Sequence, residues 1–150
     1  MITITIDPGQ NGGIAWHGIG TIGAIGAFPM PMTPRGIFET LEDISCGYGV
    51  RVVIEKVGGY VPGNAGPAAV KFARHVGNIE GILLAGGYPF EWVTPTKWMA
   101  ALGSLPVGTE AKRERKHAIK RIVEARFPGV RWTLKTSDAG GMLIWALAHS

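Results

Sequence analysis

The chain begins Met1-Ile2-Thr3-Ile4-Thr5-Ile6-Asp7-Pro8-Gly9-Gln10-Asn11-Gly12-Gly13, and the reading of these residues decides the fold. Met1–Ile6 alternates Ile with Thr, the period of two expected of a half-buried strand. Asp7 to Gly13 is dense in turn-forming residues, and Ile14–His17 and Thr21–Phe28 read as two further short strands separated by Gly18 and Gly20. Three short strands joined by tight turns make an antiparallel meander, which the Pro-rich stretch Pro29–Pro34 ends.

Working outward, Thr33-Pro34 supplies an N-cap and a first helical residue for a helix through Ile37, Leu41 and Ile44 that Gly47 or Gly49 stops. Val50–Ile54 is a near-continuous apolar run, the pattern of a central strand covered on both faces, and it ends in Glu55-Lys56. A Gly-rich loop, residues 58–66, leads to a helix over Pro67–Ala85 with apolar residues at helical spacing. Pro89–Val93 reads as a strand. Thr94-Pro95 then opens a short helix, Thr96–Leu102, which Gly103 closes. After a loop at 103–109 the spacing predicts a basic helix from about Glu110 to Phe127, stopped by Pro128-Gly129, and a last apolar helix capped by Ser137-Asp138. The order βββ-α-β-α-β-α-α-α predicts an α/β fold, a mixed sheet with helices on its faces, as one domain over residues 1–150.

Composition narrows the function classes. The 150 residues are 46% hydrophobic and 17% charged, below the roughly 25% charge of average soluble domains, which excludes intrinsic disorder. Cys46 is the sole cysteine, so no intrachain disulfide is possible and a reducing, cytoplasmic setting is expected. The first residues lack the basic and apolar regions of a signal peptide, and no apolar run approaches the length of a membrane span. Net charge is +4, but residues 110–135 alone carry +6 and the rest of the chain −2. A basic block on a near-neutral body has two readings, a polyanion-binding surface or a solvated helix face.

Only eleven carboxylates are present, so their positions are informative. Asp7 ends the first strand, Glu55 ends the apolar central strand, and Asp138 stands at the start of the last helix. Each has a plain structural reading: a turn aspartate, a solvated strand end and a helix cap. Laid side by side, however, the two strands bring Asp7 and Glu55 to one end of the sheet, where buried carboxylates need partners or a hard cation such as Mg²⁺ or Mn²⁺.

Residues 3–15 (TITIDPGQNGGIA), 52–59 (VVIEKVGG), 71–85 (KFARHVGNIEGILLA), 93–103 (VTPTKWMAALG), 112–128 (KRERKHAIKRIVEARFP) and 137–148 (SDAGGMLIWALA) occur in that order and spacing. Together they resemble the RuvC-like Holliday junction resolvases, and in particular their small phage-type branch, over essentially the whole chain. The resemblance implies an RNase H-like fold with a five-stranded mixed sheet and helices on both faces. It implies a homodimer in the cytoplasm of a bacterial host. The implied activity is endonucleolytic cutting of four-way DNA junctions in recombination and repair. Two Mg²⁺ ions per site are implied, with Mn²⁺ as substitute, and no nucleotide cofactor or membrane. Of the four carboxylates that such a site holds, Asp7, Glu55 and Asp138 match three. The fourth position falls one helical turn past Asp138, at Gly141 or Met142, and neither is acidic.

Lys56, Tyr60, Lys112, Arg113, Arg115, Lys116, His117, Lys120 and Arg121 are the candidate DNA contacts. On the basic helix Arg113, His117, Lys120 and Arg121 fall opposite Ala111, Ala118, Ile122 and Ala125, so one face packs while the other meets phosphates. His117 reads as a phosphate or solvent contact or as a protonatable helper. Tyr60 is a surface tyrosine or, by the resemblance, a wedge at the junction centre. Trp92, Trp98, Trp132 and Trp145 read as core or dimer interface. Two alternatives stay open beside an active resolvase: a junction-binding protein without cleavage, and an RNase H-like nuclease acting on other branched DNA or on RNA. A further alternative is a fragment of an actin-like or sugar-kinase ATPase, whose first hairpin also carries an Asp followed by Gly-rich turns; against it, 150 residues do not hold two lobes and the basic helix has no role there.

Overall fold

Strand pairing and register place the chemistry. The computed structural model describes residues 1–18, 24–57 and 66–150. Five strands form one sheet: β1 (Ile2–Asp7), β2 (Gly13–His17), β3 (Ile25–Pro29), β4 (Val50–Glu55) and β5 (Phe90–Val93), in the spatial order β3-β2-β1-β4-β5. The first three strands are antiparallel, while β4 runs parallel to β1 and β5 parallel to β4. The expected α/β architecture, a meander extended by parallel strands, is the one observed.

The helices are α1 (Pro34–Ser45), α2 (Pro67–Ala85), α3 (Pro95–Ala100), α4 (Lys112–Arg126) and α5 (Ser137–Ala148). Two open as their Thr-Pro pairs predict. The Thr33 hydroxyl accepts from the Gly36 N–H at 3.0 Å, and that of Thr94 accepts from the Lys97 N–H at 3.3 Å. Two begin elsewhere than expected, α4 later than Glu110 and α5 at Ser137 itself rather than behind a Ser137-Asp138 cap. α4 starts at Lys112 behind Ala111, which has no side chain to cap it. α5 starts behind Thr136, whose hydroxyl accepts instead from the Thr133 N–H at 3.0 Å. Asp138 is therefore inside the first turn and does not cap the helix. Of the strand expected over Thr21–Phe28, Ile25–Pro29 is observed; residues 19–23 lie outside the described residues.

Ile2, Ile4 and Ile6 join Val50, Val52 and Ile54 on one face, packed with Ile37, Leu41 and Ile44 of α1 and Ile79 and Leu83 of α2. The opposite face carries Val53 and Ala15 against Trp98, Ile119, Val123, Leu143 and Trp145 of α3, α4 and α5. The Ile/Thr alternation suggested a half-buried strand, but all of β1 is buried, because α5 lies across its second face. Thr5 offsets its burial by bonding: its Oγ1 donates to the Ala139 carbonyl at 2.7 Å.

Candidate active site

Alternation along β1 and β4 decides which side chains meet. Ile6 pairs with Ile54, so the next residues, Asp7 and Glu55, leave the sheet side by side on the α5 face. Asp138 approaches from the first turn of α5, where the helix N-terminus favours a negative charge. Two features hold it there. One is the Thr5–Ala139 bond, made one residue beyond Asp138. The other is Gly13, where a Cβ would lie 2.9 Å from the Lys135 carbonyl oxygen and 3.2 Å from the Thr136 Cα. Only glycine lets the segment preceding α5 run so close to β2.

Three carboxylates, two of them largely out of water, share this space. Burial pushes Asp7 well above the ordinary carboxylate range, repulsion from Asp138 and Glu55 adds to the shift, and the Lys116 ammonium opposes it. Burial also raises Glu55, opposed chiefly by a bond from the Trp98 indole N–H, at 2.9 Å from Oε1. Lys116 Nζ reaches Asp138 Oδ2 at 3.2 Å, whereas Asp138 Oδ1 is buried with no partner among the described residues. One ammonium faces three carboxylates, and one buried oxygen is left over. Hard oxygen donors with unmet negative charge suit a divalent cation such as Mg²⁺ or Mn²⁺, and the residues present fit one. Among the described residues no three acidic, His or Cys side chains already close around a single ion; Glu55 is bonded to Trp98, and Asp138 to Lys116.

The two positions that would carry a fourth carboxylate differ. Met142 is wholly buried in the core of the α5 face. Gly141 looks onto the Trp98 ring, 2.6 Å from where its Cβ would stand.

The basic residues divide between structure and surface. Lys112, Arg113 and Arg121 are exposed along α4, and Lys56 is exposed just past Glu55. Arg115 donates to the carbonyls of Pro106 and Gly108 at 3.1 and 3.2 Å, bracing the preceding loop. Lys120 pairs with Glu124. His117 lines a shallow groove with Pro106, Glu110, Arg113, Glu114 and Arg121. The packing face of α4 is Ile119 and Val123, continued by Phe127, rather than the expected stripe through Ala111, Ala118, Ile122 and Ala125; Ala125 is exposed. Tyr60 lies outside the described residues. Trp98, Trp132 and Trp145 are core residues, and Trp92 is exposed on the edge strand.

Sequence reasoning missed Lys116 and Trp98 as neighbours of the carboxylates. Lys116 carried a signal, since it precedes Ile119 by three residues and Val123 by seven, which puts it on the buried stripe of α4. Trp98 carried none, because a buried tryptophan three residues into a capped helix is ordinary core.

A mixed sheet of this order with helices on both faces defines an RNase H-like fold. Among solved structures the chain is similar to RuvC of Thermus thermophilus in complex with a Holliday junction substrate. The TM-score is 0.61 at 16% identity, over 99% of this chain and 96% of that one. A second Thermus thermophilus RuvC structure matches with a TM-score of 0.58, also at 16% identity, over 99% and 97% of the two chains. The fold is thus RuvC-like. No protein-family model matches the sequence, and no curated protein does.

Proposed function

We propose that the chain is a structure-specific endonuclease of the small phage-type RuvC-like branch, cutting four-way DNA junctions as a homodimer with Mg²⁺, or Mn²⁺ in its place. The observation that carries this reading is the meeting of Asp7, Glu55 and Asp138, with the Asp138 Oδ1 left unpartnered among the described residues, at the ends of adjacent strands in a RuvC-like sheet. Two divalent ions bound there would supply a metal-activated water and charge stabilisation for the leaving 3′ oxygen. Asp7, Glu55 and Asp138 are the residues that would hold them. Lys116 balances part of the carboxylate charge, and its ammonium stands at the mouth of the same site. Lys112, Arg113 and Arg121, with Lys56, present positive charge to the DNA backbone; such contacts position a duplex without reading its sequence.

Homodimer formation is supported by α2. Of its 19 residues only Ile79 and Leu83 are buried, whereas Val70 and Leu84 stand 69% and 66% exposed. Apolar residues on an uncovered helix suit a two-fold contact, which would set two sites against opposing strands of a symmetric junction.

A second reading, junction binding without cleavage, is favoured by the absence of an acid at Gly141 and Met142. Incubation of a four-way junction with the protein in Mg²⁺ or Mn²⁺, with Asp7→Asn as control, separates the two. Paired nicks absent from the control are expected. Junction bound but intact at every metal concentration would establish the binding protein, and cutting of RNA or other branches in preference to junctions would redirect the substrate class.

A further inference from the structure

The site has a tryptophan where the fourth carboxylate would be accommodated. α3 follows β5 directly, and β5 is anchored to the end of β4: Glu55 pairs with Val93, and the Lys56 N–H donates to the Val93 carbonyl at 2.7 Å. Trp98 is thereby delivered five residues past the strand partner of Glu55. Its indole N–H bonds Glu55 Oε1 at 2.9 Å, and its ring is 1% exposed. On the other side the ring lies against α5 at Gly141. A Cβ there would stand 2.6 Å from the ring, 3.2 Å from Leu102 Cδ1 and 3.3 Å from Ile119 Cγ2. A ring held at one edge by a carboxylate and at the other by packed helices has no room to give way. Trp98 and any side chain at position 141 therefore exclude one another.

We propose that Trp98 is a positioning residue that replaces the fourth carboxylate, fixing Glu55 through its indole N–H and filling the space beside Gly141, so that the site is built for three carboxylates rather than being a four-carboxylate site with one lost. The inference rests on the metal-site reading above and takes it further. A hydrogen bond to one carboxylate oxygen leaves the other free and limits rotation of the side chain, which pre-orders a ligand before a cation arrives. The same fixing explains how the site tolerates glycine one turn after Asp138.

The tests need no DNA. Calorimetric titration of MnCl₂ into metal-free protein is expected to show Trp98→Phe binding about 10- to 100-fold more weakly than wild type, the usual effect of removing a bond that orients a ligand. Circular dichroism of the same sample checks that it is folded. In the unsubstituted protein, the Trp98 indole N–H resonance is expected to shift on titration with Mg²⁺, with the midpoint that calorimetry gives. That measurement decides the matter if Trp98→Phe does not fold. Gly141→Asp is expected to lower Tm with Trp98 in place, and to lower it less in a Trp98→Ala background, since the two positions couple through one volume. Wild-type Mn²⁺ affinity in folded Trp98→Phe, an indole resonance unmoved by Mg²⁺, or Gly141→Asp binding Mn²⁺ more tightly at unchanged Tm would each overturn the proposal. If all three results are as expected and junctions still remain intact, only the endonuclease reading fails.

Discussion

Asp7 is 7% exposed and sits beside two other carboxylates, so its ionisation works against the fold. Its pKa and that of Glu55 are raised above ordinary values of 3.8 and 4.5, so the folded chain holds protons that the unfolded chain has released. The stability these groups contribute is complete below about pH 4 and is lost as pH rises through their folded values. In EDTA, Asp7→Asn is therefore expected to match wild-type Tm near pH 4 and to exceed it at pH 8. The gain should be roughly 2–4 °C for each kcal/mol of repulsion and desolvation removed. The same substitution should abolish the rise in Tm that Mn²⁺ produces in the wild type. Scanning calorimetry over this pH range checks both, and a wild type more stable than the variant at pH 8 without metal would refute the account of Asp7 as a buried, uncompensated charge. These three acids were legible in the sequence because few carboxylates exist and each of the three falls at an element boundary. Lys116 and Trp98 were not, because a lysine in a basic run and a tryptophan among apolar residues look the same whether or not they touch a site.

At the scale of elements, α4 shows how one helix divides its labour. Ile119 and Val123 pack on the core, Lys116 turns in to Asp138, Arg115 braces the 103–109 loop, and Lys112, Arg113 and Arg121 remain in solvent. Phosphate contacts release counterions, so junction affinity is expected to fall steeply with salt, and the steepness counts the contacts. Arg113→Ala and Arg121→Ala should each reduce the slope of log affinity against log salt by about 0.9 while leaving Tm within the small range of surface substitutions. Arg115→Ala should do the reverse, lowering Tm with little change in slope, because its guanidinium is spent on the Pro106 and Gly108 carbonyls. Fluorescence anisotropy across a salt series, in EDTA to prevent cutting, separates the two behaviours. Equal slopes for all three variants would remove α4 from the DNA surface. Helix starts followed the same physics: Thr33-Pro34 and Thr94-Pro95 were readable since a free hydroxyl meets a free N–H, whereas at α5 the start near Ser137 was readable but its cap was not, because the Thr136 hydroxyl is engaged by Thr133 and Asp138 falls inside the first turn.

For the whole molecule, the arrangement of strands follows from apolar periodicity and turn chemistry, and both are written locally in the chain. Association with a second copy is not, since an apolar residue reads alike in a core and in an interface; Val70 and Leu84 became interpretable only once the core was seen to leave them out. A symmetric dimer makes a prediction that a monomer does not. If each protomer cuts one strand, wild type mixed with an equal amount of Asp7→Asn and allowed to exchange yields roughly half mixed dimers, each with one competent site. On a supercoiled plasmid carrying an extruded four-way junction, wild type is expected to give linear product, whereas the mixture should accumulate nicked circles. Val70→Glu, which places a charge on the exposed face of α2, should shift the protein to monomer in sedimentation and reduce linear product while leaving Mn²⁺ binding intact. Nicked circles in no greater proportion from the mixture than from wild type alone would mean that one protomer cuts both strands, and the two exposed residues of α2 would then need another explanation.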